Sequence, residues 1–372
     1  MSVEARLEWS SPVASHVDRL LVREAALQAS GRWAAAGETV RAGGEAAMDA
    51  LPWCQPAGQP PLRVARGRLR MQAEPLAGRF YPRLAFVDLA QGPRDLRPLR
   101  VLECDAESLR VDPNHPLAEF APRLLLRGSA LEPAPGARLA DLFEGPGLQV
   151  PPADPYAAYY APALMARQDE AGDALFYAQP RLVHHLDAAC RGEIAALYGR
   201  FLRPGMRVLD LMASWDSHLP AAADLHVAGL GLNRDELAAN PRLAEQVVKD
   251  LNARGDLPWG DAGFDLAVCT ASIEYLLRPA EVVAEAARVL RPGGVFAVSF
   301  SDRWFPPKAV RVWTELHPFE RLAWVLDLFL RAGFTDLHTE TLRGLLRPPD
   351  DKYAEQRVHA DPLFAVWGRR PG

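Results

Sequence analysis

The chain has 372 residues, which is long for one compact domain and sufficient for two. Hydrophobic residues make up 49% and charged residues 24% of the sequence, values typical of a globular protein that buries a substantial core. The net charge of −5 argues against a dedicated nucleic-acid-binding protein, because such proteins normally have a basic surface.

The sequence also indicates which cofactors and which cellular compartment to expect. The four cysteines have no metal-ligand spacing, so we expect free thiols in a reducing compartment and no metal site. The first residues lack the basic-then-apolar pattern of a secretion signal, and no stretch of about 18 apolar residues occurs. We therefore expect a soluble, cytoplasmic protein without a membrane partner.

The residue pattern changes twice within the first half of the chain. Apolar residues recur at helical spacing from residue 13 to 50, which predicts an N-terminal helical segment within residues 1–60. Short alternating runs within residues 61–131 predict β-strands at 62–64, 69–71, 83–87, 100–102, 108–111 and 123–127. Seven prolines in residues 132–162 predict a stiff linker between domains.

Residues 163–372 alternate apolar strands with helices. Strands are predicted at 207–211, 225–230, 246–248, 264–269 and 294–300, with a last strand in 361–368, and helices at 186–201, 234–239 and 279–290. This alternation is typical of a parallel α/β sheet covered on both faces. Ligands bind such sheets beyond the C-terminal ends of the strands, where the strand order reverses.

Three segments of this region carry a family resemblance. They are Arg207-Val208-Leu209-Asp210-Leu211, then Phe264-Asp265-Leu266-Ala267-Val268-Cys269, and then residues 282–300 with Pro292-Gly293-Gly294. In sequence, order and spacing they resemble the first strand, the fourth strand, and the helix, turn and fifth strand of class I S-adenosylmethionine-dependent methyltransferases. The resemblance covers residues 163–372. It implies a Rossmann-like seven-stranded sheet and S-adenosyl-L-methionine as the cofactor.

The turn after Asp210 departs from the family pattern. Members place Gly-x-Gly-x-Gly there, because bare backbone lets the cofactor approach closely. Here the turn is Met212-Ala213-Ser214-Trp215-Asp216-Ser217-His218-Leu219-Pro220, which resembles an uncharacterised subgroup with a Ser-Trp-x-Ser-His-Leu-Pro turn. Either Asp210 and residues 212–214 still bind the cofactor, or the fold persists without binding it.

The end of the second strand also departs from the pattern. Gly231 stands where members have a carboxylate that takes the ribose hydroxyls, and Leu232 and Asn233 follow it. The resemblance makes Leu232 and Asn233 candidates for cofactor binding. The Asn233 side chain could hydrogen-bond a ribose hydroxyl, or it could cap the helix that begins at residue 234.

The segment after the third strand keeps the pattern. Asp250, Leu251 and Asn252 match the segment whose carboxylate meets the adenine amino group and whose next backbone amide meets a ring nitrogen. The alternative is that Asp250 only stabilises a turn. Thr270, at the end of the fourth strand, is a further candidate for cofactor binding.

Residues after the fourth and fifth strands face the methyl group in the family. This position makes Ser272, Tyr275, Arg303 and Trp304 candidates for substrate binding. Arg303 could anchor a carboxylate or phosphate of the acceptor, or it could form a surface salt bridge. Methyl transfer depends mainly on positioning and needs a base only when the acceptor must lose a proton. Tyr275, His218 and Asp302 are the candidates for those roles.

A second resemblance lies in the first half. Residues 111–118, Val-Asp-Pro-Asn-His-Pro-Leu-Ala, resemble a turn of FKBP-type prolyl isomerases of the SlyD kind. It implies a smaller β-rich α+β FKBP-like domain over residues 61–131. We expect this domain to lack isomerase activity, and His115 to stabilise the turn rather than bind a metal.

Three functions remain open at this point. The chain could be a methyltransferase acting on a small molecule, a peptide or a protein. It could be a non-catalytic methyltransferase-fold binding protein with an FKBP-like interaction module. It could also be a prolyl isomerase with an additional C-terminal domain.

Overall fold

The computed structural model describes residues 1–28, 33–50, 54, 58–71, 74–93, 95–144, 159–221, 224–317 and 320–372. The chain forms two compact units. The first contains Met1–Ala161 and Glu315–Trp324, and the second contains Pro162–Thr314 and Val325–Gly372. Residues 315–324 thus belong to the first unit, although the sequence placed them in a domain over 163–372. Residues 145–158 of the predicted linker lie outside the described residues.

The first unit begins with a β-hairpin. Strand β1 (Ser2–Ser10) pairs antiparallel with β2 (Ala14–Arg23). The predicted helical segment is therefore wrong over these residues. The first half of β2 buries every second residue, Ala14, His16 and Asp18. Two of these are polar, so a reading of apolar spacing does not count them as core, and the period of two is hidden.

The described part of the first unit also contains three short helices and further strands in two sheets. The helices are α1 (Glu24–Gln28) and α2 (Trp33–Arg41), with α3 (Asp141–Glu144) later in the chain. The remaining strands are β3 (Glu45–Met48), β4 (Leu62–Ala65), β5 (Phe80–Pro82), β6 (Pro98–Cys104), β7 (Ser108–Asp112) and β8 (Arg123–Gly128). Neighbouring strands follow the order β2-β1-β8-β3 in one sheet and β4-β7-β6-β5 in the other.

Four of the six predicted strands of this region are confirmed, as β4, β6, β7 and β8. The prediction at 69–71 is wrong, because this segment contributes only the isolated bridge between Leu69 and Phe86. The prediction at 83–87 is also wrong, because a 3-10 turn occupies Arg83–Ala85. The Phe86 backbone N–H donates to the Arg83 carbonyl, which closes this turn.

His115 lies in the turn that carried the FKBP resemblance. Its Nδ1 accepts a hydrogen bond from the Leu117 backbone N–H at 3.1 Å, and its Nε2 lies 3.0 Å from the Phe143 carbonyl oxygen. Both ring nitrogens therefore serve the local structure of the first unit. The FKBP-like fold itself stays a prediction.

The strands of the second unit are β9 (Met206–Leu211), β10 (Leu225–Gly231), β11 (Leu243–Val248), β12 (Phe264–Thr270), β13 (Leu290–Phe300), β14 (Thr335–Arg343) and β15 (Leu363–Arg369). Neighbours follow the order β11-β10-β9-β12-β13-β15-β14. The first five strands in this order are parallel, and β15 is antiparallel to both of its neighbours. The predicted strands of this region are confirmed.

The helices of the second half of the chain are α4 (Pro162–Met165), α5 (Asp173–Phe176), α6 (Ala188–Gly199), α7 (Arg234–Ala239), α8 (Pro279–Val289), α9 (Arg311–Glu315) and α10 (Glu320–Arg331). Strand order reverses between β9 and β12, which opens a crevice at their C-terminal ends. The turn between α8 and the body of β13 contains Gly293 at a φ of 77°, a conformation that glycine adopts without strain.

Within the described ranges, no helix is both long and apolar enough to cross a membrane. Over the same ranges, no group of three or more His, Cys, Asp or Glu side chains is arranged to hold a metal ion. Cys54, Cys190 and Cys269 are buried free thiols, and Cys104 is a half-buried one.

Candidate functional site

A cavity of the second unit gathers nearly all the candidate residues. It lies beyond the C-terminal ends of β9 to β13, where the strand order predicts a ligand. Its lining includes Asp210, Met212, Ala213, Ser214, His218, Leu232, Asn233, Asp250, Leu251, Asn252, Thr270, Ser272, Tyr275, Arg303 and Trp304. The candidate Asp302 is exposed and is not among the residues that line this cavity.

The turn after β9 is held by side chains from the segment between α7 and β11. The Asn240 side-chain amide donates to the Ser214 carbonyl at 2.8 Å and to Ser217 Oγ at 3.0 Å. The Arg242 guanidinium donates to the Pro220 carbonyl at 3.0 Å. A turn that lacks the family's glycines is thus fixed by specific hydrogen bonds.

The same turn lies directly against β10. The Ala213 backbone N–H donates to the Leu230 carbonyl at 2.7 Å. A Cβ atom on Gly231 would lie 2.2 Å from the Ala213 carbonyl oxygen, a distance that backbone atoms cannot tolerate. Position 231 must therefore be glycine while the turn keeps this conformation, which explains why the expected ribose carboxylate is missing.

Asn233 caps a helix. Its Oδ1 accepts from the backbone N–H groups of Asp235 at 2.9 Å and Glu236 at 3.0 Å, and its Nδ2 donates to the Tyr177 carbonyl at 2.9 Å. These contacts are those of a helix N-cap. The capping alternative accounts for the side chain, and the ribose contact has no support in these contacts.

Glu236 joins the turn to the chain before α6. Its carboxylate accepts from Ser214 Oγ at 2.6 Å and from the Arg181 backbone N–H at 2.7 Å. The side chain is buried and lines the cavity, but the sequence did not single it out. The available signal was an acidic residue five positions after the glycine that replaces the expected carboxylate.

Asp250 shapes the turn after β11. Its Oδ1 accepts from the backbone N–H groups of Asn252 at 2.8 Å and Ala253 at 3.3 Å. Within the described residues, its Oδ2 has no hydrogen bond. The Asn252 side chain donates to Asp173 Oδ2 at 2.8 Å and to the Tyr275 carbonyl at 2.9 Å. Asn252 therefore fixes the turn, and Asp250 keeps one acceptor atom for a ligand.

Asp210 is buried at the end of β9. Burial raises the pKa of its carboxyl to about 7, although the Ser217 hydroxyl partly opposes this shift. The Oδ2 atom is buried and has no hydrogen-bond partner among the described residues. An acceptor atom without a partner is costly at such a position and marks it as a place for a ligand donor or a bound proton.

A second charged cluster joins the turn after β9 to α6 and to the chain before α6. The Arg191 guanidinium lies 3.0 Å from His184 Nε2, and because arginine cannot accept a hydrogen bond, Nε2 must be the acceptor. The proton of His184 is then on Nδ1, 3.5 Å from Asp216 Oδ2. His218 Nδ1 lies 3.3 Å from the same oxygen, and this histidine holds the pKa of Asp216 well below its usual range.

The other end of the cavity lies beyond β12 and β13. The Tyr275 hydroxyl accepts a hydrogen bond from the Phe305 backbone N–H at 2.9 Å. Burial raises the pKa of Tyr275 well above its ordinary value, so the hydroxyl keeps its proton at neutral pH. Tyr275 can therefore position a group or donate a hydrogen bond, but it is unsuited to remove a proton. Thr270 Oγ1 forms a hydrogen bond with the Tyr198 hydroxyl at 2.8 Å.

Arg303 lies at the same end. Its guanidinium carbon is 4.5 Å from the centre of the Tyr353 ring, and its Nη1 is 3.7 Å from Asp361 Oδ2. The second distance is longer than a hydrogen bond. The contact is therefore a loose ion pair beside an aromatic face.

The chain before α6 supplies a wall that the sequence analysis missed. Asp173, Tyr177, Arg181, His184 and His185 line the cavity. Asp173 anchors this wall through Arg167, whose Nη1 lies 2.7 Å from Asp173 Oδ1, and through Asn252. The segment has little regular structure, so periodicity could not place it. The feature of the sequence that could have revealed this wall is a cluster of aromatic and histidine residues before α6 and β9.

The second unit is similar in sequence to known methyltransferases. Residues 215–298 match the family described as a methyltransferase domain. The ubiquinone/menaquinone biosynthesis C-methyltransferase UbiE of Laribacter hongkongensis is 28% identical over 173 residues, which are 43% of this chain and 68% of that protein. A probable S-adenosylmethionine-dependent methyltransferase of Mycolicibacterium smegmatis is 36% identical over 119 residues, which are 30% of this chain and 45% of that protein.

Among solved structures, a putative methyltransferase from Bacillus halodurans covers 48% of this chain and 99% of its own, with 17% identity and a TM-score of 0.35. The family match and the strand order give the second unit the mixed α/β fold of class I methyltransferases. The methyltransferase-domain match indicates S-adenosyl-L-methionine as its cofactor.

Proposed function

We propose that the second unit is an active S-adenosylmethionine-dependent methyltransferase. The observation that carries the proposal is Asp250, which lines the cavity with one carboxylate oxygen left without a hydrogen bond in the described structure. It lies two strands from the turn after β9, across the point where class I enzymes bind the nucleoside.

Each part of the cavity has a role in this proposal. Asp250 Oδ2 accepts from the adenine amino group, and Leu251 packs against the ring. Residues 212–214 line the cavity and meet the rest of the cofactor from the turn after β9. When bound, S-adenosyl-L-methionine supplies an activated methyl group.

Two residues remain as candidates to act on the acceptor. Tyr275 keeps its hydroxyl proton and positions the acceptor from the end of β12. His218 lines the cavity, and its Nδ1 lies 3.3 Å from Asp216 Oδ2, so the other ring nitrogen is the one that could act as a base. His218 would be needed only when the acceptor must lose a proton.

Calorimetric titration with S-adenosylhomocysteine tests the proposal. We expect micromolar binding by the wild-type chain and at least tenfold weaker binding by Asp250→Asn. The asparagine keeps the Oδ1 acceptor of the turn, but its amide cannot accept a hydrogen bond from adenine. The control is Asp261→Asn, an exposed carboxylate before β12, which should leave binding unchanged.

The result also separates the enzyme from a non-catalytic binding protein. A chain that has lost cofactor affinity would show no binding at millimolar ligand. That outcome would reject the proposal. Equal binding by wild type and Asp250→Asn would reject the assigned role of Asp250 alone.

A further inference from the structure

Arg181 is a half-buried arginine that lines the cavity and forms no ion pair within the described residues. The Arg181 guanidinium carbon lies 4.5 Å from the centre of the Phe176 ring and 5.4 Å from that of Phe305. Its Nη2 donates to the Phe176 carbonyl at 2.9 Å. Glu236 bonds the backbone N–H of Arg181, and no carboxylate of the described chain forms an ion pair with the guanidinium. A desolvated cation in this situation favours an anionic ligand.

Arg303 is a second cation in the cavity, and its ion pair with Asp361 is a long one. Asp361, its nearest carboxylate, already binds Arg347 Nη2 at 2.5 Å and the Asp187 backbone N–H at 2.9 Å. Arg303 stays 3.7 Å away and stacks on Tyr353. Its planar set of N–H donors suits a carboxylate or phosphate group.

The charges of both arginines lower the pKa of one histidine, His185. Burial lowers the pKa of His185, and the positive charges of Lys352, Arg181 and Arg303 lower it further, against the opposing charge of Glu236. The His185 ring lies 5.1 Å from the Phe305 ring. We call Arg181 and Arg303 the cationic wall, because both guanidinium groups line the cavity and Arg181 lies over the aromatic face of Phe305.

The cationic wall lies at the acceptor end of the cavity. Phe305 and Arg303 follow β13, whereas Asp250 follows β11, at the other side of the five parallel strands. The carboxylates nearer to the wall are occupied, since Asp173 is paired with Arg167 and Lys308. The wall is thus a positive and aromatic surface separate from the adenine position.

We propose that the methyl acceptor is an anion with a flat apolar body, held through its carboxylate or phosphate group by Arg181 and Arg303 and through its apolar part by Phe305. This inference rests on the proposed methyltransferase function. It narrows the acceptor to small organic acids and phosphate esters, and it excludes cationic amines.

Ligand-observed NMR titrations of the full chain, loaded with S-adenosylhomocysteine, test this inference. The probes are benzoate, benzamide and phenyl phosphate, which share a ring and differ in charge and anionic group. We expect an anion to bind at least tenfold more tightly than benzamide, and the tighter of the two anions identifies the group. Arg181→Gln and Arg303→Gln should each weaken anion binding at least fivefold and leave benzamide unchanged.

The control is Arg203→Gln, which makes the same change of charge before the N-terminal end of β9, at the opposite edge of the sheet. It should change anion binding by less than twofold. Unchanged affinity for S-adenosylhomocysteine shows that each variant is folded. Equal binding of all probes, or binding of neither anion, overturns the inference. Repeating the titrations without S-adenosylhomocysteine separates this failure from a failure of the chain to bind the cofactor product.

Discussion

Asp210 combines two conditions that rarely occur together in a folded protein. Its side chain is buried at the end of a central strand, and one of its oxygens lacks a hydrogen-bond partner within the described structure. Burial raises the pKa of Asp210 to about 7, so near neutrality the carboxyl group exists in both protonation states. Such a group makes the stability of the fold depend on pH.

We predict that Asp210→Asn stabilises the protein more at pH 8 than at pH 5. The folded state holds the carboxyl proton up to about pH 7, whereas the unfolded chain loses it near pH 4. Between these values wild-type stability falls with rising pH by about 1.4 kcal/mol per pH unit from this group, while asparagine has no proton to lose. Urea unfolding at both pH values measures the difference.

The exposed residue Asp261 provides the control for this prediction. Asp261→Asn should change the free energy of unfolding by a similar small amount at the two pH values. If the gain from Asp210→Asn is the same at pH 5 and pH 8, Asp210 is ionised throughout and its carboxylate has a partner that these contacts do not include.

At the residue scale the sequence predicted most positions of the site but not their contacts. Asp250 and Tyr275 line the cavity as expected from their places after strands. The contacts of Asn233 and Asn252 depend on backbone groups far away in sequence, such as the Tyr177 and Tyr275 carbonyls. No local pattern encodes such partners. The sequence could therefore place a polar residue at the end of a strand, but it could not show whether that side chain binds a ligand or another part of the chain.

The connection between β9 and β10 is the element that departs most from the class I methyltransferase pattern. Parallel strands need a crossover, usually through a helix. Within the described part of this connection, residues 212–221 and 224, there is no helix. The turn instead depends on Asn240, Arg242 and the contact of Ala213 with β10. The spacing of glycines could not reveal this, because the supporting side chains come from the next crossover.

Two glycines of β10 provide a matched test of that element. We predict that Gly231→Ala weakens S-adenosylhomocysteine binding at least tenfold, because the new Cβ would lie 2.2 Å from the Ala213 carbonyl oxygen and displace the turn. Gly229→Ala should keep binding within threefold. There the nearest atoms, at 2.5 Å, belong to the Leu243 side chain, which can rotate away.

Calorimetric titration measures both affinities, and circular dichroism shows whether each variant is folded. If Gly231→Ala binds as well as the wild type, the turn after β9 does not shape the ligand site. If both variants lose binding equally, the effect belongs to the strand rather than to the turn.

At the scale of the whole molecule, the sequence predicted the second unit well and the first poorly. Strands of the second unit are continuous apolar runs, such as β9 and β12, so they are recognisable one by one. The first unit hides its pattern, because polar residues such as His16 and Asp18 occupy buried positions. It is also discontinuous, since Glu315–Trp324 returns to it from the second half of the chain. Chain order alone cannot reveal such a return.

Glu320 shows what the returning segment contributes. Its buried carboxylate accepts from the Phe80 backbone N–H at 2.9 Å and from the Tyr159 hydroxyl at 3.0 Å, and it lies 3.8 Å from the buried Arg79 guanidinium. Without it, a cation and two donors of the first unit would be buried with fewer partners. Removing one partner of a buried ion pair costs about 3–5 kcal/mol.

We therefore predict that Glu320→Ala destabilises the first unit by about 3–5 kcal/mol and leaves S-adenosylhomocysteine affinity unchanged within twofold. Hydrogen exchange should become faster in β5 and not in β9 to β13. Glu315→Ala is the matched control, because Glu315 is partly exposed and its carboxylate lies 4.0 Å from Arg79, so its loss should cost less than about 1 kcal/mol. Faster exchange in β9 to β13 would contradict this assignment, because it would mean that residues 315–324 stabilise the second unit as well.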